Sequence, residues 1–189
     1  MNSIPDNIEI VCKVEEQLTL EWCWLSVARA INGLTNPKGK QYTEGELANL
    51  ILNRNDCTNS PIPSACVRPG TNQMMGKLYE MLGIKAVIDL PLGFNTCLDE
   101  LIAKRVFQYA YRWYNGGGHT GLVTGYRKVN PILNKEVDIN NIQFQVRDPW
   151  FGMGDILWLT YPELCIKVGV GEWSETIGRF SSSSSRLEK

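Results

Sequence analysis

Histidine is almost absent from this chain of 189 residues: His119 is the single one. Imidazole is the side chain whose ordinary pKa lies nearest neutrality, so any acid–base chemistry run through an imidazole has one candidate. Long apolar runs are missing too. No stretch reaches the ~18 to 20 apolar residues of a membrane span, and the first twenty residues hold four acids (Asp6, Glu9, Glu15, Glu16) rather than the apolar block of a secretory signal. The expectation is a soluble chain without a signal peptide or membrane partner, cytoplasmic or exported by a signal-independent route. An excess of one charge is also lacking. Nineteen Lys+Arg stand against twenty Asp+Glu, with no basic cluster longer than Lys104-Arg105, which argues against a nucleic-acid partner. The six cysteines (Cys12, Cys23, Cys57, Cys66, Cys97, Cys165) form no Cys-x-x-Cys pair, so no metal site is expected, and they are too few for a disulfide framework. Cys57 and Cys66 flank a proline-rich loop and either bridge in an oxidising compartment or stay as buried thiols.

What is present is enough apolar sequence, 43% of the chain, for one buried core, and at about 100 to 200 residues per domain one domain is expected. Trp24, Val27, Ala28, Ile31 and Leu34 recur at helical spacing, with Cys23 opening the helix and Gly33 near its end. Thr43-x-x-Glu46 has capping-box form ahead of Leu47, Leu50 and Ile51. Residues 53–70 read as loop, and Thr71 is placed to cap a third helix through Met75, Leu78 and Leu82, stopped by Gly83. A strand-like run from Ile84 to Leu90 and a short helix through Leu98, Leu101 and Ile102 follow. From Val106 the period shifts towards two, over 106–114, 119–126, 142–148 and 155–159. Helices first and antiparallel strands second indicate an α+β domain over residues 1–180, with 181–189 a disordered tail. The interface between the two layers would bring Cys23 towards His119.

A thiol is a strong nucleophile only as thiolate. A helix N-terminus with a nearby imidazolium lowers its pKa from about 8.5 to roughly 3.5–7.5. Of the six cysteines, Cys23 has that setting. Gln17, six residues earlier, carries an amide able to donate to an oxyanion alongside the Cys23 backbone N–H. Beyond the His119 run comes Val146-Arg147-Asp148-Pro149-Trp150, where Asp148 could hold the imidazole by its second nitrogen and Trp150 shield that bond from water. Asp138 and Asp155 rank below Asp148 as partners. Taken singly, each residue has an ordinary structural reading: Cys23 a small buried hydrophobe, Gln17 a surface amide, His119 a hydrogen-bonded histidine, Asp148 a turn residue bonding its own backbone, Trp24 and Trp150 core aromatics, Arg147 a solvated cation.

The ordered set Gln17-x5-Cys23-Trp24, Gly118-His119 and Asp148-Pro149-Trp150-x-Gly152 resembles the papain-like cysteine peptidases, most closely the small bacterial branch that includes staphopain and plant-pathogen effector proteases. Asp56-Cys57 followed by Ala65-Cys66-x-Arg68-Pro69-Gly70 is similar to the cysteine-bearing loop of that branch, so the likeness runs from roughly residue 10 to 160. Two features depart from the family. Glu21 and Trp22 stand where small residues are common before the nucleophile, and 29 residues separate His119 from Asp148, with a polar insert at 128–141. The resemblance implies a papain-like fold, a protein or peptide substrate and no cofactor. In that reading Cys23 is the nucleophile, His119 the acid–base, Asp148 its orienter and Gln17 an oxyanion donor. Only 22 residues precede Cys23, which implies a mature form or control exerted elsewhere. Two alternatives share the residues: acyl transfer to an amine by the same triad, and a non-catalytic module that binds peptide in the cleft.

Overall fold

The computed structural model describes residues 4–129, 138–150, 156–167 and 170–182. After a short strand β1 (Asn7–Glu9), helix α1 (Cys23–Thr35) begins at Cys23 without a side-chain cap. Its apolar residues are buried nearly all round, with Leu25, Val27, Ala28 and Ile31 fully enclosed. Gly33 does not end it. Thr35 bonds back to the Ile31 carbonyl at 2.8 Å, and the helix stops one residue later at Asn36. Helix α2 (Glu44–Leu52) has the expected capping box: Thr43 Oγ1 accepts from the Glu46 N–H at 3.2 Å, and Glu46 accepts from the Thr43 N–H at 2.8 Å. Thr71 caps α3 (Asn72–Met81) by the first of these bonds alone, its Oγ1 accepting the Met74 N–H at 3.2 Å, and Gly83 follows at φ +69°, a left-handed turn that glycine takes without strain.

The remaining elements are β2 (Ile84–Asp89), α4 (Phe94–Ile102), β3 (Phe107–Trp113), β4 (Gly118–Lys128), β5 (Ile142–Arg147), β6 (Ile156–Thr160), α5 (Tyr161–Cys165), β7 (Ile166–Lys167) and β8 (Gly171–Ser182). Among the described residues they build one antiparallel sheet in the order β2-β8-β3-β4-β5-β6, with β1 on β4 and β7 on β8. Where β1 crosses β4, a Cβ on Gly125 would sit 2.2 Å from the Ile8 carbonyl oxygen, so only glycine admits that approach. No helix of the described residues is long and apolar enough to cross a membrane.

Neighbouring residues of a strand point to opposite faces, and the core divides accordingly. Leu122 and Ile177 join α1, α2 and α3 in one cluster. Val123, Phe144, Val146 and Trp173 join α4 and α5 in the other. The fold is therefore α+β as expected, with α4 and α5 adding cover on the second face. The C-terminal boundary differs from the expectation. Ser181 and Ser182 belong to β8, paired with Lys85 and Ile84, and the rest of the expected tail lies outside the described residues.

Candidate active site

The Cys23 thiol is half-buried at the first residue of α1. Two tryptophans flank it in sequence and both are turned into the core. Trp22 donates its indole N–H to the Cys66 carbonyl at 3.0 Å, and Trp24 donates to the Arg68 carbonyl at 3.2 Å. The bulky Trp22, unexpected beside Cys23, thus fills the protein interior rather than a cleft. The carbonyls that hold these indoles lie in the 57–70 loop, which a Cys57–Cys66 disulfide closes with Cα atoms 5.5 Å apart. Of the two possibilities the sequence left open, the bridge is the one formed. It also consumes both sulfurs of the metal-type group among the described residues, Asp56, Cys57 and Cys66.

His119 is the second residue of β4, and Asp148 directly follows the last residue of β5. These strands are hydrogen-bonded neighbours with Leu122 opposite Arg147, so residues 29 apart in sequence meet at one end of the sheet. His119 Nε2 lies 2.6 Å from Asp148 Oδ1, with the two side chains 10% and 12% exposed. The same Oδ1 accepts the Trp150 backbone N–H at 2.9 Å. Asp148 is therefore both the turn residue and the histidine partner. Asp138 instead accepts its own Asn140 N–H at 2.8 Å, while Gly152 and Asp155 lie outside the described residues. Arg147 is not a solvated cation, because its guanidinium reaches Glu9 at 3.2 Å.

Two indoles enclose the imidazole. Trp150 meets it edge to face at 5.4 Å, and Trp113 lies nearly parallel at 6.5 Å. Trp113 was not singled out from the sequence. The signal for it is the register of the β3–β4 hairpin: Tyr111 pairs with His119, and Trp113, two residues on, shares that face. Gly116 and Gly117 at positive φ form the turn that allows this pairing. Tyr109 is a second residue the sequence did not mark. It is fully enclosed, close enough to Asp148 and Cys23 for their charges to act on its hydroxyl, and burial pushes its pKa well up.

Burial of the His119 ring disfavours its charged form, but the hydrogen bond to Asp148, the Cys23 thiol and the charges of both outweigh it and raise the imidazole to about 9. Among the described residues Nδ1 makes no hydrogen bond of normal geometry, although the Cys23 thiol lies near enough to help raise the ring. Among the other free thiols, burial pushes Cys12 up to about 11 and raises Cys97 and Cys165 as well, which disfavours their thiolates. A histidine raised in the fold stabilises it fully below its ordinary pKa near 6.5 and loses that contribution as pH rises through about 9. Asp148→Ala is accordingly expected to lower the His119 pKa by about one pH unit or more. Imidazole NMR titration reads it, and an unchanged midpoint would remove Asp148 from the account.

Gln17 is buried beside this group, 1% exposed, but its amide is already engaged. Nε2 donates to the Thr19 carbonyl at 2.8 Å and the Leu20 carbonyl at 3.0 Å, committing both hydrogens to the turn that leads into Cys23. The Gln17 backbone N–H reaches across to the Pro149 carbonyl at 2.8 Å, beside Asp148. The expected free oxyanion donor is thus a turn-closing amide in this structure.

No protein-family model matches the chain, and no curated protein matches it in sequence. Solved structures do share its fold. The peptidase domain of Streptococcus ComA, a bi-functional ABC transporter involved in a quorum sensing pathway, superposes with a TM-score of 0.58 at 13% identity, over 91% of this chain and 99% of that one. Xylellain, a cysteine protease from Xylella fastidiosa, superposes with a TM-score of 0.51 at 11% identity, over 92% of this chain and 85% of its own. The chain has the fold of the papain-like cysteine peptidases.

Proposed function

We propose that the protein is a cysteine peptidase that hydrolyses peptide bonds by acyl transfer. The observation that carries this reading is the 2.6 Å contact of His119 Nε2 with Asp148 Oδ1, which leaves Nδ1 for the Cys23 thiol. Cys23 Sγ attacks the scissile carbonyl as a thiolate, and the imidazolium of His119 then gives its Nδ1 proton to the departing amine. The C–N bond breaks and a thioester forms on Cys23. The neutral imidazole next takes a proton from water, whose oxygen displaces Sγ and releases the acid. Asp148 fixes ring orientation and tautomer through Nε2, and Trp150 and Trp113 keep bulk water from that bond.

The oxyanion formed on attack is met by the Cys23 backbone N–H, which as the first residue of a helix has no intrahelical acceptor. Gln17 supplies a second donor when one of its two turn contacts yields. No step calls for a cofactor. Protein or peptide substrates follow from the chemistry.

The test is the rate of iodoacetamide alkylation of each cysteine from about pH 4 to pH 8, mapped by peptide mass, in the wild type and in His119→Ala. Rapid labelling of Cys23 at acidic pH, lost in the variant, is the expected result. Slow labelling at every position would overturn the proposal and leave a peptide-binding module.

A further inference from the structure

Glu44 is the most deeply buried acid outside the His119 site among the described residues, 1% exposed at the first residue of α2. An acid there would ordinarily sit in solvent, favoured by the helix dipole. This one points inward. Its Oε2 accepts the Leu18 backbone N–H at 2.9 Å across 26 residues of sequence, while Oε1 has no hydrogen-bond partner among the described residues. Burial pushes the carboxyl up to about 7 even though the Leu18 N–H and the Arg29 charge pull it down and Glu15 adds to the rise. Enclosing such a group is unfavourable unless a specific contact offsets it, so the physical question is what the contact holds in place.

It holds the segment that leads to the nucleophile. Gln17 and Leu18 are adjacent, and their two backbone N–H groups are tied to different parts of the fold: Gln17 to the Pro149 carbonyl beside Asp148, Leu18 to Glu44 on α2. From this clamped dipeptide the Gln17 amide closes the turn over Thr19 and Leu20, and Trp22 N–H bonds the Thr19 carbonyl at 3.2 Å immediately before Cys23. The far end of the clamp is itself fixed, since a Cβ on Gly45 would lie 2.7 Å from the Cys57 carbonyl oxygen, so the start of α2 rests directly on the bridged loop.

We propose that Glu44 is a positioning residue for acyl transfer at Cys23, anchoring the Gln17–Leu18 segment through the Leu18 N–H so that the oxyanion donors stay in register with the thiol. This rests on the peptidase reading above. Reach sets the effect rather than charge, because the contact is a single hydrogen bond to a backbone donor. Glutamine keeps an acceptor oxygen at the same distance from the backbone, aspartate keeps the charge but withdraws it by one methylene, and alanine removes it.

Two small probes separate the role of the turn from the reactivity of the thiol. Iodoacetamide alkylates sulfur by displacing iodide and forms no oxyanion. p-Nitrophenyl acetate acylates sulfur: Sγ attacks the acetyl carbonyl, an S–C bond forms, the ester C–O bond breaks, and p-nitrophenolate leaves with the electron pair. Neither needs a particular side chain in the substrate. Glu44→Ala and Glu44→Asp are expected to slow acylation of Cys23 by about 10-fold or more while leaving alkylation within about twofold, and Glu44→Gln to return acylation to within about threefold of the wild type. Should Glu44→Ala show no cooperative unfolding transition, the Asp and Gln pair carries the comparison. Acylation unaffected in the Asp variant, or reduced in the Gln variant as much as in the Asp variant, overturns the proposal. A wild-type protein that is not acylated at Cys23 at all overturns the peptidase reading itself, an outcome distinct from acylation that is present but indifferent to Glu44.

Discussion

A Cys23→Ala variant is expected to fold as the wild type does and to release no peptide product, with turnover reduced by roughly 10⁴-fold or more. The fold is spared because the sulfur is only half-buried at a helix start, and the packing around it is made by Trp22 and Trp24, whose indoles are held by other residues. The chemistry is lost because no second thiol can take over. Cys57 and Cys66 are bridged, Cys12 and Cys97 are enclosed with their thiols pushed up, the half-buried Cys165 is raised as well, and none of these contributes to the rise in the His119 pKa as Cys23 does. Mass analysis of a protein digest by wild type, Cys23→Ala and the control Cys97→Ala checks this. Products in the first variant at the wild-type rate would place the activity elsewhere.

Opening the Cys57–Cys66 bridge is expected to destabilise the fold by about 3 kcal/mol, the chain-entropy value for a loop of this size, and to lower Tm by roughly 6 to 12 °C for a protein of this length. The nine-residue separation makes the loop short, so the entropic effect is moderate. Its location adds a second effect. The Cys66 and Arg68 carbonyls are the acceptors for Trp22 and Trp24, and the Trp24 ring lies so close to Gly70 that a Cβ there would be 2.4 Å away. A Cys57→Ser/Cys66→Ser variant therefore loses activity before it loses fold, as the residues on either side of Cys23 gain freedom. Thermal unfolding beside the acylation rate measures both, and a variant equal to the wild type in both would confine the bridge to a passive role.

The helical half was legible because its signals are local. The Thr43 and Thr71 caps, the stop at Gly83 and the apolar spacing of α1 each depend on residues within one or two turns. The sheet was legible where β-branched and aromatic residues gather between glycines, as in β4, which is buried on both faces from Thr120 to Tyr126. β8 was not seen, and the reason is a bulge. Tyr111 pairs with Trp173 and Ala110 with Glu175, so Ser174 is an extra residue that sends Trp173 and Ile177 to opposite faces although four positions apart. Its many polar residues hid it further.

Residue identity and chain order brought His119 and Asp148 forward, and the two lie in contact. The Gln17 amide could not be read correctly because its engagement with Thr19 and Leu20 is a matter of turn geometry. Glu44 carried an ordinary first-turn acid signature, and nothing in the sequence distinguishes an acid that points inward from one that points to solvent.

The position of β8 has a consequence for how the molecule comes into being. β2 and β3 do not pair with each other; both pair with β8, the last-made of the described strands. A growing chain that has emerged only as far as Lys167 already contains Cys23, His119 and Asp148, yet its sheet has an open slot between β3 and the edge strand β2. Synthesis runs in one direction, so these three residues exist before the strand that joins β2 to the rest of the sheet. The sheet is therefore completed last, once that closing strand has left the ribosome and after all three of these side chains have been made.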